Sequence, residues 1–260
     1  MTDNQGSAMT RILLLGGTTE ACHLAQRLAD GGADAVFSYA GRTDAPVSQP
    51  LPTRIGGFGG VDGLVRYLHD KSITHVIDAT HPFAAQMSRN AVQACNLTGT
   101  SMIGLERPAW QAEAGDNWTH VPDIDASVTA LPDQPARVFL AIGKQNLSAF
   151  ASKPQHHYLL RLVDPGPVPL RQASTIIARG PFDVAGDTVL MRDHAITHIV
   201  AKNAGGTGAA AKLGAARVLH LPVIMIDRPA LPPRHLASSV NEVLAWLAHS
   251  GTGSGTERGV

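Results

Sequence analysis

The sequence contains few cysteines and no long apolar run. Its two cysteines, Cys22 and Cys95, each lie within a predicted helix, which argues against a disulfide framework and favours a reducing compartment. No apolar run reaches the roughly 18 residues of a membrane span. The first residues, MTDNQGSAMT, carry neither a basic patch nor an apolar segment, so we expect no signal peptide. These absences predict a cytoplasmic protein that does not bind a membrane.

The sequence also lacks an excess of either charge, because Lys+Arg and Asp+Glu each number 21. A strong basic excess is the usual property of nucleic-acid-binding proteins, so we expect no nucleic-acid partner. The 12 histidines show no His-Glu-x-x-His or comparable ligand spacing, which argues against a metal site. Neither a G-x-S-x-G motif nor a convincing cysteine nucleophile is present.

Short apolar runs alternate with helical patterns along most of the chain. This alternation predicts parallel sheets, and 260 residues allow one large domain or two of roughly 100–200 residues. The predicted strands are 11–15, 35–39, 74–78, 101–105, 137–142, 157–162, 174–178, 197–201 and 222–226. The predicted helices are 19–30, 61–70, 82–95, 145–152, 182–194, 207–217 and 237–249, and 44–60 is expected to be mostly loop.

An irregular segment separates the two halves of the chain. Residues 106–135 contain four prolines and two tryptophans with weak periodicity, so the domain boundary is placed there. We expect an α/β fold of two Rossmann-like domains, 10–133 and 134–249, with mainly parallel sheets and a cleft between them. The small, polar ends, 1–9 and 250–260, are expected to be disordered.

The two halves resemble each other in sequence. Three pairs of segments match at offsets of 121–127 residues: 74–77 with 197–200, Arg107-Pro108 with Arg228-Pro229, and 11–16 with 137–143. Duplication of a whole domain would produce such a constant offset, and chance similarity of common βα units is the alternative. Two facing α/β domains would form a cleft at the carboxyl ends of their strands, where such sheets bind ligands.

A glycine-rich turn follows the first strand and opens the first helix. Its residues are Gly16-Gly17-Thr18-Thr19-Glu20-Ala21, and this context is the one that a dinucleotide site requires. Gly16 allows the tight turn and Ala21 replaces the third glycine of G-x-G-x-x-G/A, but Thr18 occupies the middle position, so the match is partial. The helix start favours a pyrophosphate, and a tight turn without a ligand is the alternative.

The end of the second predicted strand discriminates between coenzymes. An NAD site usually places an acid there for the ribose 2′-OH, whereas Gly41, Arg42 and Thr43 follow the strand without a carboxylate. The guanidinium of Arg42 can pair with a 2′-phosphate. We therefore expect NADPH rather than NADH, and an exposed surface arginine is the alternative.

The segment Asp78-Ala79-Thr80-His81-Pro82-Phe83 follows the strand at 74–78. Pro82 suits the first position of a helix, with Thr80 or His81 just before it. His81 could then contact the nicotinamide or the substrate, or act as an acid. A capping residue with a structural hydrogen bond is an equally good interpretation.

Two further turns and a set of strand-end cations suggest an anionic ligand. The turns are 143–146, with Lys144 and Gln145, and 202–208, with Lys202, Asn203, Gly205 and Gly206. Cations that follow or lie near the ends of predicted strands are Arg42, Arg107, Lys144, Arg161, Arg179, Lys202 and Arg228. Positive charge gathered at one edge would attract a polyanion, although loops are generally polar.

Taken together, these segments resemble the precorrin-6A reductase family of cobalamin (vitamin B12) biosynthesis, over about residues 10 to 248. The segments that carry the resemblance are 15–21, Gly41-Arg42, 78–84, 106–108, 142–145, 178–182 and 202–206. The resemblance implies two Rossmann-like domains with NADPH between them. It also implies reduction of one C=C bond of the precorrin-6A macrocycle to give precorrin-6B, a substrate that bears many carboxylates.

The resemblance also implies roles for particular residues. The expected coenzyme contacts are Gly16, Gly17, Thr18, Thr19, Glu20, Gly41, Arg42, Thr43, Thr80 and His81. The expected substrate contacts are Lys144, Gln145, Arg179, Lys202, Asn203, Gly205 and Gly206. His81 and Lys202 are the candidate catalytic residues, and the proton donor could be His81, a lysine or bound water.

Several alternatives stay open at this point. A nucleotide-sugar transferase can also pair two Rossmann-like domains, and an NADP(H)-sensing module would bind the coenzyme without turnover. The substrate could be free of metal or contain cobalt. We expect a monomer or a small homo-oligomer.

Overall fold

The computed structural model describes residues 10–41 and 46–250. The chain divides into two compact units. Unit 1 contains the residues up to Arg107 together with those from Ala230 onward, and unit 2 contains Pro108–Pro229. The predicted disordered ends lie outside the described residues, apart from Ser250, which ends a helix. No helix within 10–41 and 46–250 is both long and apolar enough to cross a bilayer.

Each unit is built on a six-stranded sheet flanked by helices. In chain order, the strands are β1 (Arg11–Leu15), β2 (Asp34–Tyr39), β3 (Thr53–Ile55), β4 (His75–Asp78), β5 (Ser101–Leu105), β6 (Asn117–Val121), β7 (Arg137–Ala141), β8 (His157–Leu162), β9 (Ala173–Ile177), β10 (His198–Lys202), β11 (Pro222–Ile226) and β12 (His235–Ala237). The helices are α1 (Thr19–Asp30), α2 (Gly60–Asp70), α3 (Ala85–Thr98), α4 (Ile124–Thr129), α5 (Val184–Asp193), α6 (Ala211–Val218) and α7 (Val240–Ser250), and a 3-10 helix covers Lys144–Ser152.

The two sheets have matching strand orders. The order is β12-β5-β4-β1-β2-β3 in unit 1 and β6-β11-β10-β7-β8-β9 in unit 2, and all the paired strands run parallel. The predicted α/β class with Rossmann-like parallel sheets is confirmed. The equivalence of the two orders, strand by strand, supports the predicted duplication.

The two sheets exchange their sixth strands. β6 follows β5 along the chain but pairs with β11, whereas β12 follows β11 but pairs with β5. The irregular segment 106–135 therefore supplies β6 and α4 to unit 2, and the last residues of the chain complete unit 1. Unit 2 thus begins at Pro108, whereas the expected boundary lay between 133 and 134, because no local pattern indicates that a strand pairs so far along the chain.

Four of the five residues of β1, Ile12 to Leu15, are apolar and buried. Ile12 and Leu14 pack in the cluster that α1 and α7 share with the sheet. Leu13 and Leu15 pack in a second cluster, with α2 and α3 on the opposite face. Side chains alternate between the faces of a strand, so a central strand covered on both faces has no polar position.

The helix predicted at 82–95 instead spans Ala85–Thr98. The backbone N–H of Ala84 donates to the carbonyl of His81 at 2.7 Å, so Pro82 occupies the second position of a tight turn, which its fixed φ also suits. The prediction that Pro82 begins the helix was wrong for this reason. β3, within the expected loop, and the short β6 and β12 were also missed.

The repeated Thr-His pair has a structural role in both units. Thr74 Oγ1 accepts from the backbone N–H of Arg11 at 2.9 Å, and Thr197 Oγ1 accepts from that of Arg137 at 3.2 Å. Each threonine also bonds the following histidine, at 2.8 and 2.9 Å. These bonds fix the amino ends of the central strands, opposite the edge at which ligands are expected.

Candidate functional site

The chain of unit 1 changes direction beside β1. β2 and β3 extend the sheet to one side of β1, and the chain then crosses to β4 on the other side. Open α/β sheets bind ligands in the crevice at such a point, outside the carboxyl ends of the strands. The turn 16–19 follows β1 and Thr80 and His81 follow β4, so the fold brings these predicted residues to adjacent strand ends.

The two glycines of the first turn serve different purposes. A Cβ on Gly16 would lie 2.0 Å from Cζ of the buried Phe37, so this position has room for hydrogen only. Gly17 has φ +135, and no described residue places an atom within 4 Å of its Cβ position. The backbone at Gly17 is therefore open to the approach of a ligand.

Thr18 caps α1 and joins two strand ends. Its Oγ1 accepts from the backbone N–H of Ala21 at 3.1 Å and donates to the carbonyl of Ala79 at 2.9 Å. The hydroxyl is thus bonded within the protein, and the expected contact of Thr18 with the coenzyme stays a prediction. Within the described ranges, the backbone N–H groups of Thr19 and Glu20 donate to no acceptor. Such N–H groups in the first turn of a helix suit an anion.

Glu20 forms an ion pair with Arg107 at the start of α1. Arg107 Nη1 lies 2.6 Å from Glu20 Oε2, with side-chain exposures of 18% and 29%. A carboxylate beside a phosphate would be unfavourable by itself. Arg107 therefore offsets the charge of Glu20 at this helix start.

The residues expected near the adenosine ribose are only partly described. Gly41 follows β2 with φ +74, a left-handed conformation that favours glycine. Arg42 and Thr43 lie outside the described residues. Their expected coenzyme contacts stay predictions.

Asp78 organises the turn that carries Thr80 and His81. It ends β4 and is 3% exposed, and its Oδ1 accepts from Thr80 N at 3.2 Å and from Thr80 Oγ1 at 2.7 Å. His81 Nδ1 accepts from the backbone N–H of Phe83 at 3.2 Å, so the neutral ring carries its proton on Nε2. Asp78 was not among the predicted site residues, although a carboxylate that ends an apolar strand was the available signal.

Unit 2 has an equivalent pair of turns at the ends of β7 and β10. Gly143 has φ +76, and Lys144 and Gln145 after it are exposed. Lys202 Nζ donates to Asn146 Oδ1 at 2.9 Å. This bond joins the two turns, as the Thr18 hydroxyl does in unit 1.

The turn after β10 is braced by residues of its own unit. Asn203 is buried, and its side-chain amide bonds the backbone N–H of Trp110 at 2.8 Å and the Trp110 carbonyl at 3.1 Å. Trp110 Nε1 donates to the carbonyl of Gly206 at 2.7 Å. Asn203 was expected to contact the substrate, but its amide holds the loop. Trp110 was missed because its partners lie far along the chain.

Most of the predicted strand-end cations are bonded inside their own units. Arg179 pairs with Asp164 at 3.1 Å, and Arg161 forms a buried pair with Asp187. Arg228 donates to the carbonyls of Asn203 and Ala204 at 3.0 and 3.1 Å. Most of these positive charges are thus neutralised by acids or hold the backbone of their own unit. Lys144, by contrast, is exposed and bonds no described residue.

The buried Cys95 is not a candidate nucleophile. Burial raises the pKa of Cys95 to about 12, with a further contribution from the charge of Asp78. Cys95 therefore stays a thiol at neutral pH, and a thiol is a poor nucleophile. In the part of the chain that the structure describes, no group of three His, Cys, Asp or Glu side chains could hold a metal ion.

Replacing Thr18 by Ala should lower the free energy of unfolding by about 1–2 kcal/mol, because it removes a helix cap and a long-range hydrogen bond. Thr18→Ser keeps both bonds and is the matched control. Urea unfolding of the two variants checks this, and equal stability for the alanine variant and the wild type would contradict the assigned role.

Comparisons with known proteins agree with this arrangement. The family described as "Precorrin-6x reductase CbiJ/CobK" matches residues 11–248. The precorrin-6A reductase of Rhodobacter capsulatus is 66% identical over 254 residues, covering 97% of this chain and 100% of its own. That of a Sinorhizobium species is 47% identical, covering 95% and 96%.

More distant and structural relatives agree. The cobalt-precorrin-6A reductase of Priestia megaterium is 29% identical, covering 92% of this chain and 98% of its own. A solved structure titled "CobK precorrin-6A reductase" aligns with a TM-score of 0.90 at 65% identity, covering 97% of this chain and 100% of that one. The family resemblance drawn from the sequence motifs is confirmed: the chain belongs to the precorrin-6x reductase family.

Proposed function

We propose that this chain is an NADPH-dependent oxidoreductase that reduces one C=C bond of precorrin-6A to give precorrin-6B in cobalamin biosynthesis. The observation that carries the proposal is the open glycine turn at the crevice of unit 1, in a chain that belongs to this reductase family. Family membership supports a nicotinamide coenzyme and a tetrapyrrole substrate. The choice of NADPH rests on Arg42.

The residues of unit 1 fit a dinucleotide. The backbone at Gly17 is open, and the N–H groups of Thr19 and Glu20 are available to a pyrophosphate. Gly41, Arg42 and Thr43 would hold the adenosine ribose and its 2′-phosphate, and Thr80 and His81 would lie near the nicotinamide. When bound, the nicotinamide supplies a hydride.

The residues of unit 2 suit a substrate with many carboxylates. Lys144 and Gln145 are exposed at the end of β7, and Lys202 is held beside them through Asn146. We assign these side chains and Arg179 to the substrate carboxylates, with Gly205 and Gly206 shaping the loop. Lys202, bound water or His81 in its charged form would supply the proton.

The decisive experiment follows NADPH absorbance with and without precorrin-6A. We expect oxidation that depends on the macrocycle, faster with NADPH than with NADH. In the same assay, Arg42→Ala should weaken the binding of NADPH by about 1.5–3 kcal/mol through the loss of a charge-assisted contact, with little effect on the binding of NADH. The exposed helix residue Arg66 gives a matched control, Arg66→Ala.

Each outcome of the assay has a meaning. Coenzyme binding without turnover would indicate a sensing module, and turnover of a UDP- or GDP-sugar without NADPH oxidation would indicate a transferase. Either result contradicts the reductase. Equal weakening of NADPH and NADH by Arg42→Ala would remove the proposed role of Arg42 and leave the reaction standing.

A further inference from the structure

Arg54 lies at the carboxyl ends of β2 and β3, which form one side of the sheet of unit 1. It lies on β3 in register with Ser38 on β2. Its Nη1 donates to Ser38 Oγ at 2.8 Å and its Nη2 donates to the carbonyl of Gly57 at 3.0 Å. The guanidinium carbon also lies 3.8 Å from the ring centroid of Phe58. The fork is therefore fixed in orientation by three contacts.

The charge of this guanidinium is not neutralised by a described acid. No Asp or Glu in 10–41 or 46–250 pairs with Arg54, and both hydrogen-bond partners are neutral oxygens. Burial lowers the pKa of Arg54, opposed by the Tyr67 hydroxyl, yet an arginine stays charged at neutral pH. A partly desolvated cation is unfavourable where no acid neutralises it, and no described acid pairs with Arg54, so an anionic ligand would stabilise it.

The surroundings of Arg54 adjoin the expected adenosine site. In such folds, the end of the second strand lies beside the adenosine ribose. The backbone N–H of Gly56 donates to the carbonyl of Tyr39 at 2.9 Å, which attaches the turn after β3 to the end of β2. Among the described residues, no atom lies within 4 Å of a Cβ built on Gly56 or Gly57. The described residues therefore leave the Cβ side of this turn, which bonds the guanidinium through the Gly57 carbonyl, open to a ligand.

We propose that Arg54 is a specificity-determining residue that contacts the 2′-phosphate of the coenzyme. The inference rests on the proposed function, because it concerns the same coenzyme site. Arg54 was not singled out in the sequence, since it lies in a segment expected to be loop. A bidentate guanidinium favours phosphate over hydroxyl, so Arg54 would favour NADPH over NADH.

Binding of nucleotide fragments to the full chain tests this without turnover. Isothermal titration would compare adenosine 2′,5′-bisphosphate with 5′-AMP for the wild type, Arg54→Met, Arg54→Lys and the control Arg66→Met. We expect Arg54→Met to weaken the binding of the bisphosphate by roughly 10- to 100-fold and the binding of 5′-AMP by less than about threefold. Arg54→Lys should recover part of the loss, because it keeps the charge but not the fork.

The alternative is that Arg54 only supports the turn after β3. In that case, Arg54→Met would weaken the binding of both fragments by the same factor, or would weaken the binding of neither. Either result would overturn the inference. Circular dichroism of the same samples shows whether Arg54→Met is folded, and if it is not, the ratio of the two affinities in Arg54→Lys decides. A wild type that oxidises NADPH with precorrin-6A would keep the proposed function even if this inference failed.

Discussion

Replacing Asp187 by Ala should lower the free energy of unfolding by about 3–5 kcal/mol, because it leaves a buried guanidinium unpaired. The side chains of Arg161 and Asp187 are only 10% and 4% exposed. Arg161 binds both carboxylate oxygens of Asp187, the second at 3.3 Å, and lies 3.6 Å from the ring centroid of Phe182. The pair therefore ties β8 to α5 and to the segment before it.

Urea unfolding followed by tryptophan fluorescence measures this effect, since Trp110 and Trp118 both lie in unit 2. Asp133→Ala is the control, because Asp133 pairs with Lys153 at 2.9 Å but its side chain is 94% exposed; little change is expected from such a surface pair. The double variant Arg161→Met/Asp187→Leu should recover most of the loss. Similar losses for Asp133→Ala and Asp187→Ala would show that burial of the pair does not matter.

Replacing Gly205 by Ala should be similarly disruptive, with a loss of about 3 kcal/mol from overpacking and backbone strain. The new Cβ would lie 2.1 Å from the carbonyl oxygen of Pro108, and Gly205 has φ +70. A backbone oxygen cannot rotate away as a side chain can. The loop after β10 must therefore shift, and with it the contact between Trp110 and Gly206.

Gly208 provides a control in the same loop. No described residue places an atom within 4 Å of a Cβ on Gly208, and its φ lies outside the left-handed region, so Gly208→Ala should leave stability almost unchanged. Thermal unfolding compares the two variants, and the KM for precorrin-6A should rise in Gly205→Ala. A Gly205→Ala protein as stable as Gly208→Ala would mean that the segment at Pro108 moves freely.

Local sequence patterns predicted the central elements well. The bounds of β1 and α1 agree with the prediction, because an apolar run, two glycines and an amphipathic stretch all lie within 20 residues. β12 has only three residues. The partners of β6 and β12 are β11 and β5, more than 100 residues away. No local pattern carries that information.

The same limit applies to the site. The glycine turn was recognised because its residues are consecutive, and the parallel fold then placed Thr80 and His81 beside it. The bond of Thr18 with Ala79 spans 61 residues and that of Asn203 with Trp110 spans 93. The sequence could thus suggest which side chains are polar, but not which of them already bond to the protein.

The exchange of outer strands has a consequence for synthesis on the ribosome. When β5 emerges, the strand that will cover its edge is still roughly 130 residues from being made, on the order of ten seconds of translation. An uncovered parallel edge can pair with other chains. We therefore expect nascent chains that stop before His235 to need chaperone protection. Neither half of the chain, produced alone, should give a stable, soluble fragment.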